Sequence, residues 1–175
     1  MSNKKLCPVC GTGHLTRRST TESITYKGFT KSYAHIFSVC DLCLVEQVDS
    51  EEMRANKRSV IRLKKTIDGL LTGDEMRSIR NNWGISQDEA SRIFGGGQKA
   101  FSKYETDDVA QSESMDKLIR TAVKFPQVFS ELCSVAGVSQ PGALVTIIRV
   151  QQSSFSWSGS AEIMSAEPDF AETSH

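Results

Sequence analysis

The chain has 175 residues, and its 21 lysines and arginines are balanced by 21 acids, for a formal net charge of +0. That length holds one large domain or two small ones. No apolar run approaches about 18 residues, and no apolar h-region follows Lys4 and Lys5, which argues against a membrane span or a secretory signal and for a cytoplasmic protein.

The neutral total conceals a gradient along the chain. Residues 1–70 carry 12 basic against 7 acidic side chains, residues 71–138 carry 8 against 10, and residues 139–175 carry 1 against 4. A nucleic-acid partner is therefore not excluded by net charge, since the distribution of charge matters more than its sum.

The first motif is Cys7-Pro8-Val9-Cys10, repeated in form as Cys40-Asp41-Leu42-Cys43 after twenty-nine intervening residues. Two residues between cysteines let both thiolates of one turn reach a single ion, so two such turns supply four soft ligands at about 2.3 Å from a tetrahedral Zn²⁺. Iron is the other ion that suits four sulfurs, and disulfides or a redox dithiol are the competing readings. The pairing of two CxxC turns favours one Zn²⁺ with a structural role, because four thiolates leave no position open for water. His14 and His35 then read as surface or outer-shell residues. Cys133 falls in an apolar helical pattern and reads as a small buried side chain, and thiolates of this kind suit a reducing compartment.

Between the cysteine pairs, Ile24-Thr25-Tyr26 and Tyr33 to Val39 flank Lys27-Gly28-Phe29-Thr30, the pattern of an antiparallel hairpin running into Cys40. A helix with Ser50 as its candidate N-cap follows, with Val60, Ile61, Leu63, Ile67, Leu70 and Leu71 as an apolar stripe. Its basic residues Arg54, Lys57, Arg58, Arg62, Lys64 and Lys65 read equally as a solvated face or a phosphate-tracking one.

From Thr72 the pattern changes to short helices. The spacing predicts one over residues 74–82 and one beginning at Ser86 with Glu89 completing a capping box. A third runs from near Gln98 to about Glu105, a fourth starts at Ser112 and a fifth at Pro126 is closed by Gly137. Gly95-Gly96-Gly97 separates the second of these from the third. Two short helices across a glycine turn form the helix-turn-helix pattern, in which the second helix enters the major groove of double-stranded DNA. Lys99 and Lys103 stand one turn apart beside Gln98 and Ser102 as candidate base contacts, and Ser86 and Gln87 open the preceding helix as candidate phosphate contacts. Phe101 and Tyr104 face the bundle. After Gly137, residues 143–150 read as a strand, followed by a Ser-rich acidic tail.

The fold class is thus α+β. Residues 1–48 form a four-cysteine zinc domain, 49–71 a linking helix, 72–137 a helix-turn-helix domain and 138–175 an extension. Apolar positions Leu118, Ile119, Val128, Phe129 and Leu132 exceed what one small bundle needs, which points to a homodimer with two half-sites about 34 Å apart on DNA.

The cysteine pairs, Ile85-Ser86-Gln87-x-Glu89-Ala90 and the string from Phe94-Gly-Gly-Gly to Ala100-Phe101-Ser102-Lys103-Tyr104-Glu105 resemble the MqsA antitoxin family over residues 5–136. The resemblance implies a zinc domain that grips a cognate toxin, often an mRNA-cleaving ribonuclease. It also implies a helix-turn-helix dimer that binds a palindromic operator and represses its own operon. Lys99 and Lys103 fall where better-known members read bases with Asn and Arg, so the operator sequence stays open, since a lysine cannot copy a bidentate contact. Competing readings are a stand-alone regulator without a toxin and a zinc adaptor that binds only protein. An enzyme is disfavoured by the lack of any Ser/His/Asp set, phosphate loop or open metal site.

Overall fold

The computed structural model describes residues 5–139. Its order is β1 (Leu15–Tyr26), β2 (Phe29–Cys40), β3 (Glu46–Gln47), α1 (Ser50–Ile67), α2 (Gly73–Asn82), α3 (Gln87–Phe94), α4 (Ala100–Glu105), α5 (Glu113–Lys124) and α6 (Pro126–Ala136). An antiparallel sheet with a cysteine cluster at its end therefore precedes a helical half, the α+β arrangement that the sequence predicts. The strand-like run at 143–150 lies outside the described residues.

The hairpin is longer than the alternation suggested. β1 pairs with β2 over its whole length, from Leu15 opposite Cys40 to Tyr26 opposite Phe29, and β3 adds a short rung at Ser38 and Val39. Many of its residues are threonine or serine, which suit a strand without announcing an apolar face. The two-residue turn puts both Lys27 and Gly28 at positive φ, 48° and 80°, as the twist of a tight hairpin demands.

Helix α1 lies along β2 in the opposite direction. Its N-cap is Asp49, not Ser50. The Asp49 carboxylate accepts from the amides of Glu51 and Glu52, and Glu52 returns a bond from its side chain to the Asp49 amide. The same Glu52 is buried and accepts from the Ser38 hydroxyl at 2.6 Å. One turn on, the Asn56 amide group pairs with both the N–H and the C=O of Ile36, at 2.7 and 2.8 Å. At the far end, Tyr26 and Lys27 from the hairpin turn reach Asp68 at 3.1 and 2.6 Å.

The helical half closes on a core of Leu71, Met76, Ile85, Ala90, Ile93, Phe94, Phe101, Ile119, Ala122, Phe129 and Cys133. Trp83 stacks on Phe129 with ring centroids 4.3 Å apart and planes 9° apart, and on Phe94 at 5.3 Å, which joins α2, α3 and α6. Inside this apolar packing sits a buried carboxylate, Glu105. Arg80 grips it through two bonds of 2.5 and 3.1 Å and Gln87 adds a third at 2.8 Å, so the charge is paired and its oxygens are satisfied. Gly73 begins α2 where it does because its backbone lies against the end of α4. A Cβ there would stand 2.4 Å from the Glu105 carbonyl oxygen.

Candidate functional site

Both cysteine turns converge at the open end of the hairpin. The ligand atoms of Cys7, Cys10, Cys40 and Cys43 all lie within 4.8 Å of one another. The Sγ atoms of Cys7 and Cys43 are 3.8 Å apart, and those of Cys10 and Cys40 are 3.7 Å apart. A tetrahedron with metal–sulfur bonds of about 2.3 Å has edges of roughly 3.8 Å, so the cluster has the dimensions of a four-thiolate metal site.

Backbone donors surround these sulfurs. Gly13 points its N–H at Cys10 at 3.3 Å, and Leu42 and Cys43 point theirs at Cys40 at 3.4 Å each. The Thr12 and Gly13 amides draw the Cys10 thiol down to about 6, and the Cys43 amide lowers Cys40. Cys43 responds differently. The Val45 amide pulls it down, yet desolvation and the neighbouring sulfurs of Cys40, Cys10 and Cys7 push it up to about 12. Thiolates brought this close make the last deprotonation costly, and a bound cation is what relieves it. These four cysteines can hold a metal ion.

Gly13 is a residue that sequence reasoning missed. A Cβ at this position would lie 2.4 Å from the Cys40 sulfur and 2.8 Å from the Leu42 Cβ, so only glycine allows the chain to cross the second cysteine turn this closely. Asp41 is a second omission: its carboxylate accepts from the His14 amide at 2.7 Å and ties that turn to the start of β1. Neither signal is visible without the fold. His35 stacks against Phe37 with centroids 6.2 Å apart and lies 3.7 Å from a Glu22 oxygen, away from the metal ligands.

In the helical half, α3 is capped as its sequence predicts, with Ser86 accepting from the Glu89 amide and Glu89 returning to Ser86. Gly95, Gly96 and Gly97 then take φ of 84°, 95° and 91°, a run that only glycine tolerates at low cost. The following helix begins later than the spacing predicts. Gln98 and Lys99 belong to the turn, Lys99 with φ of −112°, and α4 opens at Ala100 without a side-chain cap. The glycine run delays the helix, and Ala100 is the first residue buried against the bundle. Gln98, Lys99, Lys103 and Ser86 are exposed, whereas Ser102 and Gln87 are half-buried. The Gln87 amide is engaged with Glu105 rather than directed outward.

The basic run of α1 is neither a solvated face nor a phosphate track at three of its positions. Arg58 makes two bonds to Asp108, at 2.7 and 3.0 Å. Arg62 pairs with Asp74 and with Asp107. Lys65 is fully buried, with its ammonium on Asp107 at 2.7 Å and on the Tyr104 carbonyl at 2.9 Å.

The structure is thus that of a two-part protein: a hairpin carrying a four-cysteine cluster fit for a metal ion, joined by an ion-paired helix to a small bundle with a glycine-turned helix pair. The model of a family described as the antitoxin component of a bacterial toxin-antitoxin system, MqsA, matches residues 5–133. The chain is also similar to Antitoxin MqsA of Escherichia coli (strain K12), at 29% identity over 128 residues, covering 72% of this chain and 98% of that protein. The chain belongs to the MqsA antitoxin family. It is an antitoxin component of a toxin-antitoxin system, and family membership implies a cognate toxin as partner. No helix among the described residues is long and apolar enough to cross a membrane.

Proposed function

We propose that this antitoxin works through two surfaces and catalyses nothing itself. A single structural Zn²⁺ held by Cys7, Cys10, Cys40 and Cys43 stabilises the hairpin domain, which binds and neutralises a toxin that cleaves mRNA. The α3–α4 pair binds a palindromic operator as a homodimer and represses its own operon in the cytoplasm. Four thiolates favour zinc over harder ions, and with all four positions filled by sulfur the ion holds structure and does no chemistry.

The observation that carries the DNA reading is the placement of Lys99 and Lys103. Both are exposed, four residues apart, while the intervening Ala100 and Phe101 are buried against the bundle. A short helix anchored on one face, with one exposed cation at its N-terminal edge and another on its outer face, has the form of a major-groove reader. Gln98 and Ser102 flank the lysines, and Ser86 and Gln87 at the start of α3 are the phosphate contacts, Gln87 through its backbone N–H because its side chain is held by Glu105.

The test is a binding titration on a duplex taken from immediately upstream of the gene. Lys99→Ala and Lys103→Ala are each expected to cost about 1–3 kcal/mol and to relax preference at one base pair. Equal, sequence-independent losses would remove the recognition role. Light scattering of the full chain, and of the chain without residues 138–175, tests the dimer. A monomer at micromolar concentration in both overturns it.

A further inference from the structure

A six-residue helix is too short to hold its own shape, because nucleation costs more than so few bonds return. α4 (Ala100–Glu105) is of this length and has no side-chain cap at its N-terminus. Its first turn is pinned by the burial of Ala100 and Phe101. Its last turn, which carries Lys103, is held inside the bundle through Glu105 by Arg80 and Gln87, and from the other side by α1.

Arg58, Arg62 and Lys65 follow one another at intervals of four and three residues, so they share one face of α1. That face meets the turn at 106–108 directly after α4. Lys65 donates to the Tyr104 carbonyl, placing a cation at the negative end of the helix. It also donates to Asp107, which sits at φ 56° and accepts from the Gly73 amide at 2.9 Å. Arg58 grips Asp108 with both arms of its guanidinium. The Asp108 amide in turn bonds the Lys103 carbonyl at 2.9 Å. The path from Arg58 to the backbone of Lys103 is therefore two bonded contacts long.

The Arg58–Asp108 pair is 37% and 30% exposed on its two sides, and pairs so exposed add little net stability. A two-bond guanidinium–carboxylate contact does fix direction. We propose that Arg58 and Lys65 are positioning residues for DNA binding: they set the last turn of α4, and hence Lys103, from a helix that belongs to the metal-bearing half. This rests on the DNA reading above. It makes the grip on DNA depend on α1 side chains that do not touch the duplex.

The test is a charge exchange on the full-length, metal-loaded protein, with Arg58→Asp, Asp108→Arg and the double variant, alongside the milder Arg58→Gln. Two readouts are taken: affinity for the duplex from upstream of the gene, and amide hydrogen exchange at Thr106, Asp107 and Asp108. Each reversal is expected to weaken binding tenfold or more and to speed exchange at the turn, with Arg58→Gln a few-fold weaker. The double variant should recover affinity to within about threefold. Wild-type affinity in the reversed variants overturns the proposal. So does a double variant as weak as Arg58→Asp, which would mean that Arg58 itself contacts phosphate. If the wild-type protein binds no duplex, the DNA reading fails, and exchange decides the clasp: unchanged exchange in the single variants refutes it, and faster exchange restored by the double variant supports it.

Discussion

Lys65→Met isolates the energetics of the joint between α1 and the bundle. Lys65 is fully buried, and its ammonium bridges Asp107, a carboxylate only 6% exposed, and the Tyr104 carbonyl. Methionine keeps most of the volume and removes the charge. Breaking one side of a buried ion pair costs about 3–5 kcal/mol, because the remaining charge loses its partner in a low-dielectric site. Asp107 is not left alone, however, since Arg62 at 3.1 Å and the Gly73 amide at 2.9 Å remain. The lower end of the range, about 3 kcal/mol, is therefore expected. Urea unfolding followed by far-UV circular dichroism measures it, and combining Lys65→Met with Asp107→Asn should recover part of the loss by removing the stranded charge. A loss below about 1 kcal/mol, or a double variant that is simply the sum of the two singles, would refute the reasoning.

Stripping the metal with a chelator, or replacing Cys40 by Ser, should unfold the cysteine end of the hairpin and leave the signature of α2–α6 largely intact, as tryptophan emission from the Trp83 stack would report in a Trp157→Phe background. Gly13→Ala should weaken metal retention at least as much as loss of one ligand, because its Cβ falls 2.4 Å from the Cys40 sulfur; competition with a chromogenic chelator would show it, and wild-type retention would count against the close approach. Acid should destabilise the fold through depressed carboxylates. Arg58 holds Asp108, Lys5 holds Asp49, and the Ser86 amide holds Glu89, each below its ordinary value of 3.8, 3.8 and 4.5 respectively. Carboxylates with lowered folded values contribute stability that is fully present above those ordinary values and is lost as the pH falls through the lower ones. Urea midpoints should thus be flat near neutrality and fall below about pH 4, and Asp108→Asn should flatten that fall; a variant with the wild-type acid slope would show that this pair takes no part.

What the sequence revealed depended on the range of the interaction. The cysteine turns, the Ser86–Glu89 capping box, the Ser112 cap, Pro126 at the start of α6 and the left-handed Gly137 at its end are all set by residues within a few positions of one another, and each was legible. The start of α4 was not, because the glycine run leaves Gln98 and Lys99 free to remain in the turn, and only packing of Ala100 decides where the helix begins. The fates of Arg58, Arg62 and Lys65 were hidden for a different reason. Their main partners, Asp107 and Asp108, lie more than forty residues further along the chain, and a basic helix looks the same whether its charges face water or a buried carboxylate. Gly13 likewise earns its place only through a crossing that the second cysteine turn completes.

The bond pair between Asn56 and Ile36 has a consequence for how this hairpin meets other chains. A carboxamide offers the same donor and acceptor as a peptide unit, so Asn56 fills the rung that another strand would take at Ile36, and β3 fills the rungs at Ser38 and Val39. Over this stretch the outer margin of β2 is closed to strand addition. The outer margin of β1 is guarded by other means, since its residues include Arg17, Arg18 and Glu22, all exposed. Twelve-residue strands with so little apolar cover are otherwise templates for sticking to copies of themselves. One margin is sealed by mimicry and the other is lined with charge, so the long, thinly covered ribbon offers a further strand little to pair with along these stretches.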